Sequence, residues 1–116
     1  MPHIELKTTP NVGRSLDVPK LLSDLAETLA SFETVTPAAI KAYHVPIGTW
    51  LMGEGAPRGF AQCTVSVLSG RPVELRCRMA DALVGVMRQA LSEAIRAGEA
   101  SATLELREMD AETYRK

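Results

Sequence analysis

Phe60-Ala61-Gln62-Cys63-Thr64-Val65-Ser66-Val67-Leu68-Ser69-Gly70-Arg71-Pro72 is the stretch whose reading decides the fold. Cys63, Val65 and Val67 point one way and Gln62, Thr64 and Ser66 the other, the period of a half-buried strand over Phe60 to Leu68. Ser69-Gly70-Arg71-Pro72 then makes a sharp strand-to-helix junction, with Pro72 placed to open a helix, where a missing N–H costs nothing. Downstream, Met79, Leu83, Val86, Met87, Ala90, Leu91, Ala94 and Ile95 recur at helical spacing. The helix is expected to reach about Arg96 and to stop at Gly98, a natural residue for a helix C-terminus. A strand from about Ala102 to Met109 follows, with Leu104 and Leu106 on one side and Thr103, Glu105 and Arg107 on the other.

The upstream half repeats that design. A first strand covers about 2–8, and polar, turn-forming residues continue through Asn11 and Gly13. A helix is expected from about Asp17 to Phe32, with Asp17 as N-cap, Pro19 in its first turn, and Val18, Leu21, Leu22, Leu25, Leu29 and Phe32 on one apolar face. A second strand reads from about Ile40 to Met52, and Pro46 within it marks an edge, a bulge or a break. Gly53, Gly55, Pro57 and Gly59 form the turn region that returns to Phe60. The order β-α-β-β-α-β predicts a single α+β domain over residues 1–116, with two β-α-β units forming a four-stranded mixed sheet and two helices on one face. The two halves suggest an internal duplication without a residue-level repeat. The ferredoxin-like split βαβ fold has the same order, so order alone leaves the architecture open.

Composition narrows the function classes. Hydrophobic content of 46% and charge of 23% fit a globule rather than a disordered chain. Thirteen basic and fourteen acidic residues nearly cancel without a basic block, so nucleic acid is not an expected partner. No apolar stretch approaches the ~20 residues of a membrane span, and the start alternates polar and apolar residues unlike a secretory signal. No membrane association is expected, and the cytoplasm is the expected compartment. Cys63 and Cys77 form no C-x-x-C pair and are expected to be buried, reduced thiols. The second sheet face, with Glu5, Lys7, Gln62, Thr64, Ser66, Thr103, Glu105 and Arg107, is polar and gains Tyr43 or Trp50 from the second strand. It is either solvated or a wet interface between copies.

Chemistry concentrates at Met1-Pro2-His3-Ile4. Proline after an initiator methionine is a context in which the methionine is trimmed, leaving a secondary amine at the start of a strand. An α-amino group titrates near ~7.7–8.0, and a modest downward push makes it a general base at neutral pH. His3 points to the opposite face and reads as structural. Arg71 stands just before a helix N-terminus, where backbone N–H groups and the helix dipole favour an anion. His44 has no partner at metal-ligand spacing, and Asp110 and Glu112 belong to a charged, solvated tail.

Four local features, Met1-Pro2-His3-Ile4, Leu16-Asp17-Val18-Pro19, Thr49-Trp50-Leu51-Met52-Gly53 and the Gly70-Arg71 junction, resemble 5-carboxymethyl-2-hydroxymuconate Δ-isomerases of the tautomerase superfamily. The resemblance spans nearly the whole chain. It implies a symmetric homotrimer, with the amino-terminal proline as base and arginines gripping the carboxylates of a dianionic, muconate-type substrate in aromatic-acid breakdown. The implied reaction is a 1,3-keto–enol proton shift that needs no metal or organic cofactor. Pro2 matches the catalytic proline and Arg71 the arginine of the G-R junction. Lys41 stands where the family usually has arginine, and Tyr43 where a second arginine often lies. The three substrate-binding expectations are therefore Arg71, Lys41 and Tyr43. The last two departures leave the exact substrate open, because lysine is a point charge where arginine is a planar fork. Two other readings stand beside this one: a superfamily member acting on another enol or 2-oxo acid, and a non-catalytic small-molecule-binding module.

Overall fold

The computed structural model describes residues 1–116. Strand β1 (His3–Thr8) leads into a short helix α1 (Pro10–Ser15) and then α2 (Val18–Ala30). A 3₁₀ turn at Pro37–Ala39 precedes β2 (Lys41–Pro46). The second half contains β3 (Gly59–Leu68), α3 (Val73–Ala90), a short α4 (Ser92–Arg96) and β4 (Ala100–Met109). The sheet order is β2-β1-β3-β4. Each outer strand runs parallel to its inner neighbour, and β1 and β3 meet antiparallel at the centre. The expected mixed sheet of two β-α-β units is the fold observed.

Alternation decides which face is covered. Ile4 and Leu6 of β1 and Ala61, Cys63, Val65 and Val67 of β3 are fully buried beneath the helices. Leu21, Leu25 and Leu29 of α2 and Met79, Leu83 and Met87 of α3, spaced four apart, fill the facing side. Each such side chain contributes about 1.5–3 kcal/mol when taken out of water. That exceeds the propensity differences along either helix, so packing rather than local preference holds the two layers. Asp17 caps α2 as expected, accepting a hydrogen bond from the Lys20 backbone N–H at 3.1 Å.

Five details depart from expectation. The second strand ends at Pro46 rather than Met52: β2 lies at the sheet edge, where the proline is tolerated, and its last bond to β1 runs from Ile47 N–H to Thr8 C=O at 2.9 Å. Pro10–Ser15, expected as a turn, forms a helical turn around Pro10, with Gly13 N–H bonded to Thr9 C=O at 2.9 Å and Val12 buried. The long second helix breaks at Leu91, which leaves helical geometry with φ −104° and ψ 11° while remaining buried. Cys77 is exposed, since it lies off the Met79–Leu83–Met87 row, whereas Cys63 is buried as expected. The charged tail is also less free than expected: Tyr114 is half-buried, its hydroxyl 3.2 Å from His3 Nε2 with the rings edge to face.

No helix is long and apolar enough to cross a membrane.

Candidate active site

The parity that buries Ile4 and Leu6 also buries Pro2, one step before β1, while His3 turns to the open face. Antiparallel pairing sets His3 opposite Ser66, so the start of β1 lies beside the end of β3 and the junction that follows. Gly70 turns the chain there with φ +121°, a region that a side chain disfavours. Arg71 follows at once, ahead of α3. The connection between α2 and β2 closes the third side. Pro2 and Arg71 thus share one small cleft of about 160 Å³ with Met1, Thr34, Thr36, Ala39 and Leu68.

Arg71 is held by the chain itself. Its Nε donates to Thr34 Oγ1 at 3.0 Å, Nη2 to the Thr34 carbonyl at 2.9 Å, and Nη1 to the Leu68 carbonyl at 3.2 Å. The ion pairs of the molecule lie elsewhere, and none uses Arg71. Its charge is oriented but not neutralised. Arg76 supports the junction from α3, with Nε donating to the Arg71 carbonyl at 3.2 Å and its guanidinium 3.5 Å from Glu108.

Lys41 and Tyr43 do not join Pro2 and Arg71 in the cleft. Lys41 contributes its backbone N–H to the Pro2 carbonyl at 3.0 Å, which pins the proline to β2. Its pairing with His3, and that of Tyr43 with Glu5, puts both side chains on the open sheet face. There Tyr43 donates to the Glu5 carboxylate at 3.0 Å, and this bond, with a smaller share from desolvation, raises the phenol above its ordinary value. Trp50, on the loop after β2, donates from Nε1 to the Arg58 carbonyl at 3.2 Å and lies outside the cleft. His44 is occupied by Thr8 Oγ1 at 2.8 Å. Thr34 was not among the residues expected at the site. It precedes Thr36-Pro37 in a connection without periodicity, and only its contacts with Arg71 reveal it.

A larger groove of about 510 Å³ runs between α2 and α3, lined by Asp17, Asp24 and Glu27 with Lys20. Three carboxylates there repel an anionic ligand, so the smaller cleft is the better candidate for a carboxylate. No three His, Cys, Asp or Glu side chains converge as a metal site would require.

Two β-α-β units joined edge to edge through β1 and β3 into one sheet, with their helices on one face and a proline buried at the head of the first strand, define a tautomerase-like fold. The family model of 5-carboxymethyl-2-hydroxymuconate isomerases matches residues 2–116, and the chain belongs to that family. A 5-carboxymethyl-2-hydroxymuconate isomerase from Deinococcus radiodurans R1 is 20% identical, with TM-score 0.89 over 99% of this chain and 87% of that one. A 5-carboxymethyl-2-hydroxymuconate delta-isomerase is 18% identical, with TM-score 0.88 over 100% of this chain and 87% of that one. A fused 4-OT wild-type symmetric trimer has 11% identity and TM-score 0.70, over 97% of this chain and 91% of that one. At these identities the likeness speaks for the fold. No curated protein sequence matches the chain.

Proposed function

We propose that the protein is a cofactor-independent tautomerase acting on a muconate-type dicarboxylate in aromatic-acid catabolism, with Pro2 as general base. The observation that carries this reading is the meeting of a buried Pro2 and an unneutralised Arg71 in one cleft, in a chain of an isomerase family. With Met1 attached, the Pro2 nitrogen is an amide and has no basic lone pair. Removal of Met1 converts it into a secondary amine at the base of the cleft. Burial and the neighbouring guanidinium both disfavour the ammonium form, which keeps the amine free to accept a proton. The amine takes the enol hydroxyl proton and returns it to a carbon of the conjugated chain. The O–H bond and one C=C bond give way to a C–H and a C=O bond, and the remaining C=C bond shifts along the chain, with no net redox change. Arg71 holds a substrate carboxylate, and its field stabilises the dienolate between the two transfers.

A homotrimer belongs to the same reading. At about 160 Å³ the cleft is smaller than the ~300–1,000 Å³ of a typical small-molecule site, so part of the substrate must lie beyond it. A neighbouring copy seated on the open sheet face would complete the pocket. Lys41 and Tyr43, on that face, would then serve a site at the boundary between copies. The fused 4-OT structure of the same fold is itself a symmetric trimer.

The test is proton exchange. Protein verified by mass to lack Met1 is incubated in deuterated water with a panel of 2-hydroxydienoates and with phenylpyruvate. Deuterium should enter a substrate carbon at a rate that chelators leave unchanged. No exchange with any member of the panel would overturn the reading.

A further inference from the structure

A guanidinium has five N–H donors, and Arg71 spends three on its own chain. Two of the three go to Thr34, whose hydroxyl oxygen and carbonyl take Nε and Nη2 together. Those two nitrogens form the side edge of the guanidinium, one of the two edges on which a carboxylate can dock bidentately. With Thr34 on that edge, one hydrogen remains on Nη1 and one on Nη2, the nitrogens of the end edge. We propose that Thr34 is a positioning residue that determines carboxylate specificity: it occupies the side edge of Arg71 and leaves only the end edge for a substrate carboxylate. This rests on the reading of the cleft as a carboxylate site.

The geometry separates two functions of one residue. The Thr34 carbonyl is a backbone group, present whatever the side chain. The hydroxyl is the only side-chain acceptor on Arg71, and it alone responds to substitution. Without it the Nε hydrogen is released and the guanidinium loses one of its three anchors, so its plane is held less firmly by the two carbonyls that remain. Bidentate recognition depends on a fixed plane, so binding suffers even though the charge is unchanged. Thr34 is exposed at the cleft rim, so its removal leaves the core of the domain untouched.

Thr34→Val keeps the shape and removes the acceptor, while Thr34→Ser restores an acceptor without the methyl group. The first readout is the Nε–H resonance of Arg71 in ¹⁵N-labelled protein, assigned by its loss in Arg71→Lys. It should be protected from solvent exchange in wild type and Thr34→Ser and lose protection in Thr34→Val. The second readout is titration with muconate as an unreactive dicarboxylate. Thr34→Val should bind it about tenfold more weakly, because the end edge of Arg71 is less firmly preorganised, and Thr34→Ser should bind it as wild type does. In turnover, KM should rise with kcat little changed. Protection that survives in Thr34→Val, affinity indifferent to the substitution, or wild-type protein that does not bind muconate would each overturn the proposal. Muconate binding with the expected pattern but no turnover would sink the Pro2 chemistry and leave the role of Thr34 standing.

Discussion

Arg71 joins a structural task to the proposed chemical one, and the two can be told apart by magnitude. Its hydrogen bonds tie the junction after β3 to Thr34, so Arg71→Ala should cost the fold only about 1 kcal/mol, as exposed bonds do. A lost grip on a substrate carboxylate is worth roughly 1.5–3 kcal/mol, and should fall on kcat/KM for dicarboxylates more than for monocarboxylates. Equal losses for both substrate classes would count against a specific carboxylate contact. Cys63 gives an independent prediction at the same scale. Burial, with a smaller push from Glu5, lifts its thiol from 9.0 to about 12. The folded state therefore favours the neutral thiol, and this raises no cost while pH stays below the unfolded value. Between pH 9 and pH 12 the unfolded chain ionises first and stability falls, by on the order of 1 kcal/mol at pH 10. Denaturant midpoints at pH 8 and pH 10 measure that loss, and a Cys63→Ala variant should lack this part of it. A thiol reagent should meanwhile titrate exposed Cys77 quickly and Cys63 only on unfolding.

Between elements, the least tolerant contact is the entry to β3. Gly59 is buried against Thr9 and Asn11, and a Cβ there would overlap both the Thr9 hydroxyl and the Asn11 amide oxygen. Those groups are engaged: Thr9 Oγ1 accepts from Phe60 N–H at 3.0 Å, and Asn11 Nδ2 donates to the Glu99 carbonyl at 3.0 Å. The clamp joins α1, β3 and the approach to β4. Gly59→Ala should destabilise by about 1–3 kcal/mol, read as a lowered denaturation midpoint, with the Pro2 cleft at the opposite end of β3 unaffected. A neutral substitution would show that the clamp can shift without cost. Such contacts also explain what was legible beforehand. The alternation of Cys63, Val65 and Val67 and the four-residue spacing of Leu21, Leu25 and Leu29 report burial directly, so strands and long helices could be read from the chain. Pro10–Ser15 could not, because its helical turn depends on bonds to Phe60 and Glu99, far away in sequence. At the cleft, Pro2 and Arg71 carried chemical and motif signals, whereas Thr34 matters only through where its oxygens lie.

For the whole molecule, the open sheet face and the undersized cleft make one proposal of assembly and chemistry. Three copies closing on their sheets would cover polar strands and sheet edges that a monomer leaves exposed, and would extend each cleft with a neighbour's residues. Sedimentation should give three times the chain mass at working concentration, and a stable monomer would remove the basis for a shared pocket. Catalysis should then depend on the amino terminus within an intact assembly. With Met1 removed, kcat/KM should rise with pH through a single deprotonation at or below neutral, as the ammonium gives up its proton and becomes the base. Pro2→Ala leaves a primary amine in nearly the same place and should retain part of the activity where Met1 is still trimmed. A residue or tag added ahead of Pro2 makes the nitrogen an amide while hardly moving it. Proton transfer should then vanish, with the sedimentation profile and thermal midpoint unchanged. Comparing that blocked protein with the trimmed one isolates basicity from position, because burial, Arg71 and the fold are common to both. Full activity in a verified N-terminally extended trimer would show that the proton is carried by some other group, and Pro2 would revert to a residue that merely packs at the head of β1.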